Sequence, residues 1–402
     1  MRLIDAVLNK RARIGIGREQ IPPNLSVAAA EEALSFHGII PQYYPTPLLK
    51  LSAASSKMQV LEVLIKDESK RFGLNSFKVL GGIYAIAKYI YSRIEDHPAR
   101  LDFAYIQSES VRRQLGTITF ATATDGNHGL GVARTAQILG HKAVVFMPAG
   151  TVPARIRAIE ETGAEVKLTK ANYDDTVALA AETASKKGWV LIQDTAFEGY
   201  QNIPEWIMQG YLTIIYEALV QMKTIGLDKP THIFLQAGVG SMAAAVLGYL
   251  VSKYGELYPY TAIVEPHHAA CFYDSFVIGD GEPYRAKGDL KTIMAGLSCG
   301  EPNPLAWDII NDYADICLAC DDAVAVEGMR LLADPSGKDP KIISGESGAV
   351  TAGLLWLLTR DNQYADIRDM MKIDTKSVIL LINTEGATDP DNYRKIVQDN
   401  KL

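Results

Sequence analysis

The segment DESKRFGLNSFKVLGG sets Lys78 between Phe77 and Val79, with Gly81 and Gly82 close behind it. The residues that follow, VLGGIYAIAKYIYS, carry apolar side chains at helical spacing, so Lys78 stands at a helix start. A cation is poorly placed there, because the helix dipole is positive at that end. That position and the apolar neighbours both lower a lysine pKa, and a lysine with a depressed pKa is suited to forming a Schiff base. Taken alone, the residue also fits a surface lysine that begins a helix.

Two further segments have the form strand, short turn, helix. In ATATDGNHGLGVARTAQILG the turn is Asp125-Gly126-Asn127. Backbone N–H groups at the helix start can hold an anion such as a carboxylate, whereas a plain capped helix would use Asp125 or Asn127 as N-cap. In QAGVGSMAAAV, Gly238, Val239, Gly240, Ser241 and Met242 lead from a strand into a helix. The two glycines permit close approach, Ser241 can add a hydroxyl donor, and the helix N-terminus completes an anion cradle. The loop lacks the lysine of a nucleotide P-loop and the spacing of a dinucleotide fingerprint. It suits one phosphate better than two, although a generic tight turn reads the same way.

The elements that would position these residues are legible from Lys142 onward. KAVVFMP reads as a buried strand, VPARIRAIEETG as a helix ending near Gly163, AEVKLT as a strand, YDDTVALAAETASKKG as a helix and WVLIQ as a strand. A long helix over about 203–223 follows, then THIFLQAG, SMAAAVLGYLVSKYG and YTAIVEP as strand, helix and strand. SVILLIN is the last strand. Short β-branched runs separated by helices imply parallel, covered sheets. No Pro/Gly/Ser-rich linker separates the two sets, so the chain crosses between them more than once.

The 402 residues are 48% apolar and 22% charged, with net charge −7. Such a chain has no broad attraction for nucleic acid or an anionic membrane surface. The N-terminal MRLIDAVLNKRARIG lacks the apolar core of a signal peptide, and the most apolar segment is too short to span a bilayer. Cytoplasmic residence is the expectation. The histidines show no ligand spacing, so no metal is expected. Cys317 and Cys320 form a lone C-x-x-C inside the apolar run YADICLAC, which favours a buried structural role over zinc or redox work.

The order S-F-K, D-G-N-H-G, a Gly-rich phosphate loop and a strand ending in a hydroxyl residue resembles the fold type II pyridoxal-phosphate enzymes, the group of tryptophan synthase β and the serine/threonine dehydratases. The resemblance runs from YYPTPLLKL at Tyr43 to TEGATDP at Asp389. It implies an α/β fold of two open, twisted, mostly parallel sheets with helices on both faces and the active site in an interdomain cleft. Residues 1–76 and 196–402 would form a large cofactor-binding domain and 77–195 a small one. It also implies that pyridoxal phosphate is held as a Schiff base on Lys78, that Asn127 bonds its phenolic oxygen, and that Gly238, Val239, Gly240, Ser241 and Met242 wrap its phosphate. Thr384, after SVILLIN, would meet the pyridine nitrogen. A neutral hydroxyl there makes the ring a weaker electron sink, which suits elimination better than transamination.

A narrower likeness follows from Asp125, where most of the dehydratases have Ser, and from Asp194 in QDTAFEGY. With FGLNSFKVLGG, TIMAGLSCGEPNP and GESGAV, these strings resemble the diaminopropionate ammonia-lyase family. That likeness implies a homodimer that cleaves D- and L-2,3-diaminopropionate to pyruvate and two ammonia. The chemistry of the substrate makes sense of two aspartates, since its extra amine is cationic near neutral pH and needs anions to hold it. By the resemblance Lys78 takes the Cα proton of the L isomer and Asp125 that of the D isomer, while Asp194 orients the β-ammonium or relays protons. The likeness also places Cys271 and Cys299 near the site entrance, where they could touch as thiols or as a disulfide. Glu346 and Glu385 are candidate supporting groups, His128 is read as packing rather than contacting the cofactor, and Tyr173 has no assigned role. The competing readings are a serine/threonine dehydratase or β-replacing synthase on the same scaffold, and a cofactor-binding protein without turnover.

Overall fold

Short β-branched and aliphatic runs form the strands of this computed structural model, which describes residues 2–13, 21–124 and 126–398. Among the described residues the strands are β1 (Ile4–Leu8), β2 (Leu48–Lys50), β3 (Glu62–Asp67), β4 (Thr119–Ala123), β5 (Lys142–Met147), β6 (Glu165–Leu168), β7 (Val190–Leu191), β8 (His232–Gln236), β9 (Tyr260–Pro266), β10 (Ile316–Cys320) and β11 (Val378–Asn383). Seven of them make one sheet in the order β1-β10-β9-β8-β11-β3-β2, and four make another in the order β6-β5-β4-β7. All pairs in the smaller sheet are parallel. In the larger sheet only the two edge strands run antiparallel, β1 against β10 and β2 against β3.

The central strands are buried on both faces, which is why they read as continuous apolar runs. Successive residues enter two different cores. Leu380 and Ile382 join the layer that contains the helices Lys78–Tyr91, Asn202–Thr224 and Ser241–Tyr254. Ile379 and Leu381 join the layer that contains the helices Asp322–Ala333 and Glu346–Arg360. Helices therefore cover both faces, as the sequence implies. The chain leaves the larger sheet after β3, builds β4 to β7, and returns to it at β8 through the helix Asn202–Thr224.

Two differences from the sequence reading have physical causes. The antiparallel edge strands β1 and β2 are short and lack strong alternation, so periodicity did not reveal them. The strand read as WVLIQ pairs only over Val190–Leu191, and the residues that lead to Asp194 continue past the sheet. Cys317 and Cys320 both lie on β10, three residues apart in a structure of period two. They enter opposite cores and cannot bind one ion together, which accords with a buried structural role. Among the described residues no group of three His, Cys, Asp or Glu could hold a metal ion, and no helix is long and apolar enough to cross a membrane.

Candidate active site

Lys78 is the first residue of the helix Lys78–Tyr91, as its sequence context requires. The glycines behind it let two other helices close in. A Cβ on Gly81 would lie 2.6 Å from the Tyr211 ring, and one on Gly210 would lie 2.6 Å from the Leu80 carbonyl oxygen. The helix Asn127–Leu139 approaches from the other side, where a Cβ on Gly131 would lie 2.9 Å from Val79 Cα. The start of the lysine helix is thus wedged between elements of both sheets. Its backbone is tied to the end of β11 by a Phe77 N–H to Thr384 O bond of 3.4 Å.

The Lys78 ammonium donates to Asp194 Oδ2 at 2.5 Å, a partner that its own neighbourhood in the sequence did not disclose. Asp194 is buried, while Lys78 keeps 19% of its side chain exposed. Burial alone would raise the Asp194 carboxyl, but the charge of Lys78, the nearby His128 and the lysine hydrogen bond outweigh it and pull it down to about 2. Asp194 is therefore an anion at neutral pH. Gln193 Nε2 and Tyr173 OH lie 3.3 and 3.5 Å from its other oxygen. His128 is buried, and its Nε2 meets the Ile192 carbonyl at 2.8 Å. A carbonyl only accepts, so Nε2 carries the proton. Burial lowers the imidazole's pKa, so the ring is neutral.

One cavity gathers Lys78, Thr124, Asn127, His128, Tyr173, Asp194, the loop Gly238–Met242, Cys299, Thr384 and Glu385. It opens beyond the carboxyl ends of β4, β8 and β11, where α/β sheets bind ligands. The loop turns tightly at Gly240, whose φ of +90° and a Cβ position 2.5 Å from Phe272 exclude other residues. The helix Ser241–Tyr254 then points its first N–H groups at the cavity end of β8.

Residues 39–371 match the family of pyridoxal-phosphate dependent enzymes. The diaminopropionate ammonia-lyase of Salmonella typhimurium is 48% identical over 367 residues, which cover 91% of each chain. The chain belongs to the diaminopropionate ammonia-lyase family. Its structure superposes on that of diaminopropionate ammonia lyase from Escherichia coli in complex with D-serine with a TM-score of 0.91 at 45% identity, over 99% of this chain and 97% of that one. The same E. coli enzyme in complex with an aminoacrylate-PLP azomethine reaction intermediate gives a TM-score of 0.89 at 44% identity, over 100% and 98% of the two chains.

Pyridoxal phosphate, the cofactor of this lyase family, fits the residues present. Gly238 leaves room that a Cβ would fill, since that atom would lie 3.0 Å from both Cys299 Sγ and Gly296 O. The loop's backbone and the helix N-terminus present N–H groups of the kind that can hold a phosphate, and Lys78, Asn127 and Thr384 line the same space. Ser241 differs from its expected use. Its hydroxyl donates to the Asp194 carbonyl at 2.6 Å and accepts from Asn303 Nδ2 at 2.8 Å. It ties the loop to the Asp194 backbone.

Asn127 is the first residue of its helix, and Gly126 occupies the N-cap position without a side-chain cap bond, so Asn127 is not the cap. Its Nδ2 donates to Glu385 Oε2 at 2.6 Å. Asp125 lies outside the described residues. Thr384 Oγ1 accepts from Gln236 Nε2 at 3.2 Å. No disulfide joins Cys271 and Cys299. Cys271 Sγ instead meets Glu265 Oε1 at 3.5 Å behind the cradle. Gln236 and Asn303 were missed in the sequence. Asn303 carried one signal, its place before Pro304 at a helix start, where it caps the Leu305 N–H.

Proposed function

We propose that this protein eliminates ammonia from D- and L-2,3-diaminopropionate and yields pyruvate and two ammonia per turnover. The observation that carries the reading is the Lys78–Asp194 ion pair of 2.5 Å inside a cavity with a phosphate cradle. It supplies a lysine to hold the cofactor and a fixed anion to hold a cationic substrate.

Bound pyridoxal phosphate supplies an electron sink for the pair left when Cα loses its proton. Lys78 Nζ takes that proton from the L isomer, and Asp125 takes it from the D isomer on the opposite side. Asp194, ionised and buried, holds the β-ammonium. The electron pair from the Cα–H bond becomes the Cα–Cβ double bond as the Cβ–N bond breaks. The β-nitrogen leaves with its bonding pair as ammonia and needs no acid to protonate it. The freed enamine gains a proton at Cβ and becomes an imine; water adds to its carbon, and the α-nitrogen leaves as the second ammonia. Neutral His128 adds no competing positive charge beside the ammonium.

The smaller sheet lies wholly within 77–195, which supports a small domain there, with 1–76 and 196–402 as the large one. Homodimer formation and work in the cytoplasm accord with membership of a lyase family of amino-acid chemistry. Pyruvate release tests the reading. kcat/KM for diaminopropionate should exceed that for serine and threonine by roughly 10²-fold. Equal or faster turnover of serine or threonine would move the chain to the dehydratases. Asp125→Asn should abolish turnover of the D isomer and spare much of the L turnover, whereas equal loss on both would contradict the facial assignment.

A further inference from the structure

Glu385 follows Thr384 just past β11 and is 1% exposed. Its side chain joins two elements. Oε2 accepts from Asn127 Nδ2 at 2.6 Å, and Oε1 accepts from the Ser347 N–H at 3.1 Å, at the start of the helix Glu346–Arg360. Its main chain joins a third. Glu385 forms an antiparallel bridge with Ser76, and the neighbouring Gly386 N–H donates to Asn75 O at 2.9 Å. One residue therefore touches the segment that delivers Lys78, the helix that carries Asn127, and the wall of the larger sheet. Both carboxylate oxygens are engaged, so this carboxylate is not placed to receive a substrate ammonium. Charged groups on the packed elements are Glu346, beside Ser347, and Arg155, whose NH2 donates to Thr388 Oγ1 at 3.0 Å. Lys78 and Asp194 face the shared cavity.

The two ends of an asparagine amide have nearly the same shape, and only their partners decide which end points where. A carboxylate accepts and cannot donate. Glu385 thus fixes the NH2 end of Asn127 toward itself, and the bond is strengthened by the charge. The second hydrogen of that NH2 group is then the one available to an acceptor in the cavity. We infer that Glu385 is a positioning residue: it sets the Asn127 amide with its N–H toward the phenolic oxygen of the cofactor, and so tunes the proton affinity of the lysine-bound cofactor. This rests on the cofactor being held on Lys78 as proposed above.

The test is a double-mutant cycle on the holoenzyme, read as the midpoint pH of the cofactor's visible absorption band. The four proteins are wild type, Glu385→Gln, Asn127→Ala and the double variant. Glutamine keeps the shape but offers one donor and one acceptor to three donors, Asn127 Nδ2, the Ser347 N–H and, at 3.5 Å, the Thr388 hydroxyl. Loss of the Glu385 charge acts in both backgrounds, whereas loss of the amide's orientation acts only where Asn127 is present. The shift caused by Glu385→Gln should differ between the two backgrounds by about one pH unit, a tenfold change in proton binding. Equal shifts in both backgrounds overturn the role of Glu385 and leave the Lys78 reading intact. A wild-type band that persists in Lys78→Ala overturns both. If Glu385→Gln does not fold, Glu385→Asp takes its place in the same cycle, because the shorter carboxylate withdraws from Asn127.

Discussion

Lys66 and Lys78 each hold a buried carboxylate at nearly the same distance, 2.6 Å to Glu217 and 2.5 Å to Asp194. The surroundings of the two pairs differ. Lys66 has no exposed side-chain surface, and its three protons meet Glu217 Oε2, Thr46 O and Gln221 Oε1 at 2.6, 2.7 and 3.0 Å. Glu217 in turn takes two bonds from Arg71, at 2.8 and 2.9 Å, and one from Tyr43 OH at 2.6 Å. Arg71 also holds Glu68. Every member is saturated by fixed protein groups, and the cluster braces the chain that leads from β3 toward Lys78. The Lys78 pair lines a cavity instead, and Lys78 keeps 19% of its side chain exposed. Two lysine–carboxylate pairs thus divide the work. The closed pair holds the frame, and the open one is available for chemistry.

Asp194→Asn should produce the largest change. It keeps the volume and removes the anion, so kcat/KM for diaminopropionate should fall by about 10²–10⁴-fold, while the thermal midpoint of the holoprotein, in which Lys78 is committed to the cofactor, moves little. A fall of less than tenfold would place Asp194 with the structural pair. Glu217→Gln should do the reverse. It leaves buried cations undercompensated, and urea unfolding should show a loss of about 3–5 kcal/mol with turnover per folded molecule nearly kept. A loss below about 1 kcal/mol would break the comparison.

Much of the open pair was legible in the sequence, and almost none of the closed one was. Lys78 stood at a helix start beside glycines, and Asp194 stood in QDTAFEGY, a string picked out by the family resemblance. The first position is unusual for a cation. Lys66, Glu68 and Arg71 sit in EVLIKDESKR, where the sequence alone singles out no site or core residue. Only the long helix Asn202–Thr224, folded back across them, makes that segment an interior, and local pattern carries no record of such a contact. Asn303, Gln236 and the embrace of Asn127 by Glu385 were hidden for the same reason, since their partners lie far away in the chain. In the larger sheet the sequence pattern disclosed β8, β9 and β11 of the parallel centre but neither β3 nor β10, and it failed at the short edges.

A smaller effect concerns acid. Asp194 is held near 2, below its ordinary 3.8, so the unfolded chain binds this proton more readily than the folded one. Its stabilisation is full above the ordinary value and is lost as pH falls through about 2. Glu217 is held down as well; burial would raise it, but Arg71 and Lys66 prevail. In the apoprotein each of Asp194→Asn and Glu217→Gln should therefore flatten unfolding free energy against pH in that window, by up to about 1.4 kcal/mol per pH unit. An unchanged slope in either variant would remove that carboxylate from its pair. The smallest effect belongs to Cys320→Ala, far from both pairs in the second core, which should cost about 1 kcal/mol and leave the cofactor spectrum unchanged.

The division of labour between the two lysines is tested most directly by the visible absorbance of two holoprotein variants prepared side by side. Lys66→Met should keep the band of the lysine-bound cofactor in its folded fraction and unfold at lower urea. Lys78→Ala should lose that band in its folded fraction. A band that survives in Lys78→Ala, or one that disappears from folded Lys66→Met, would contradict the assignment.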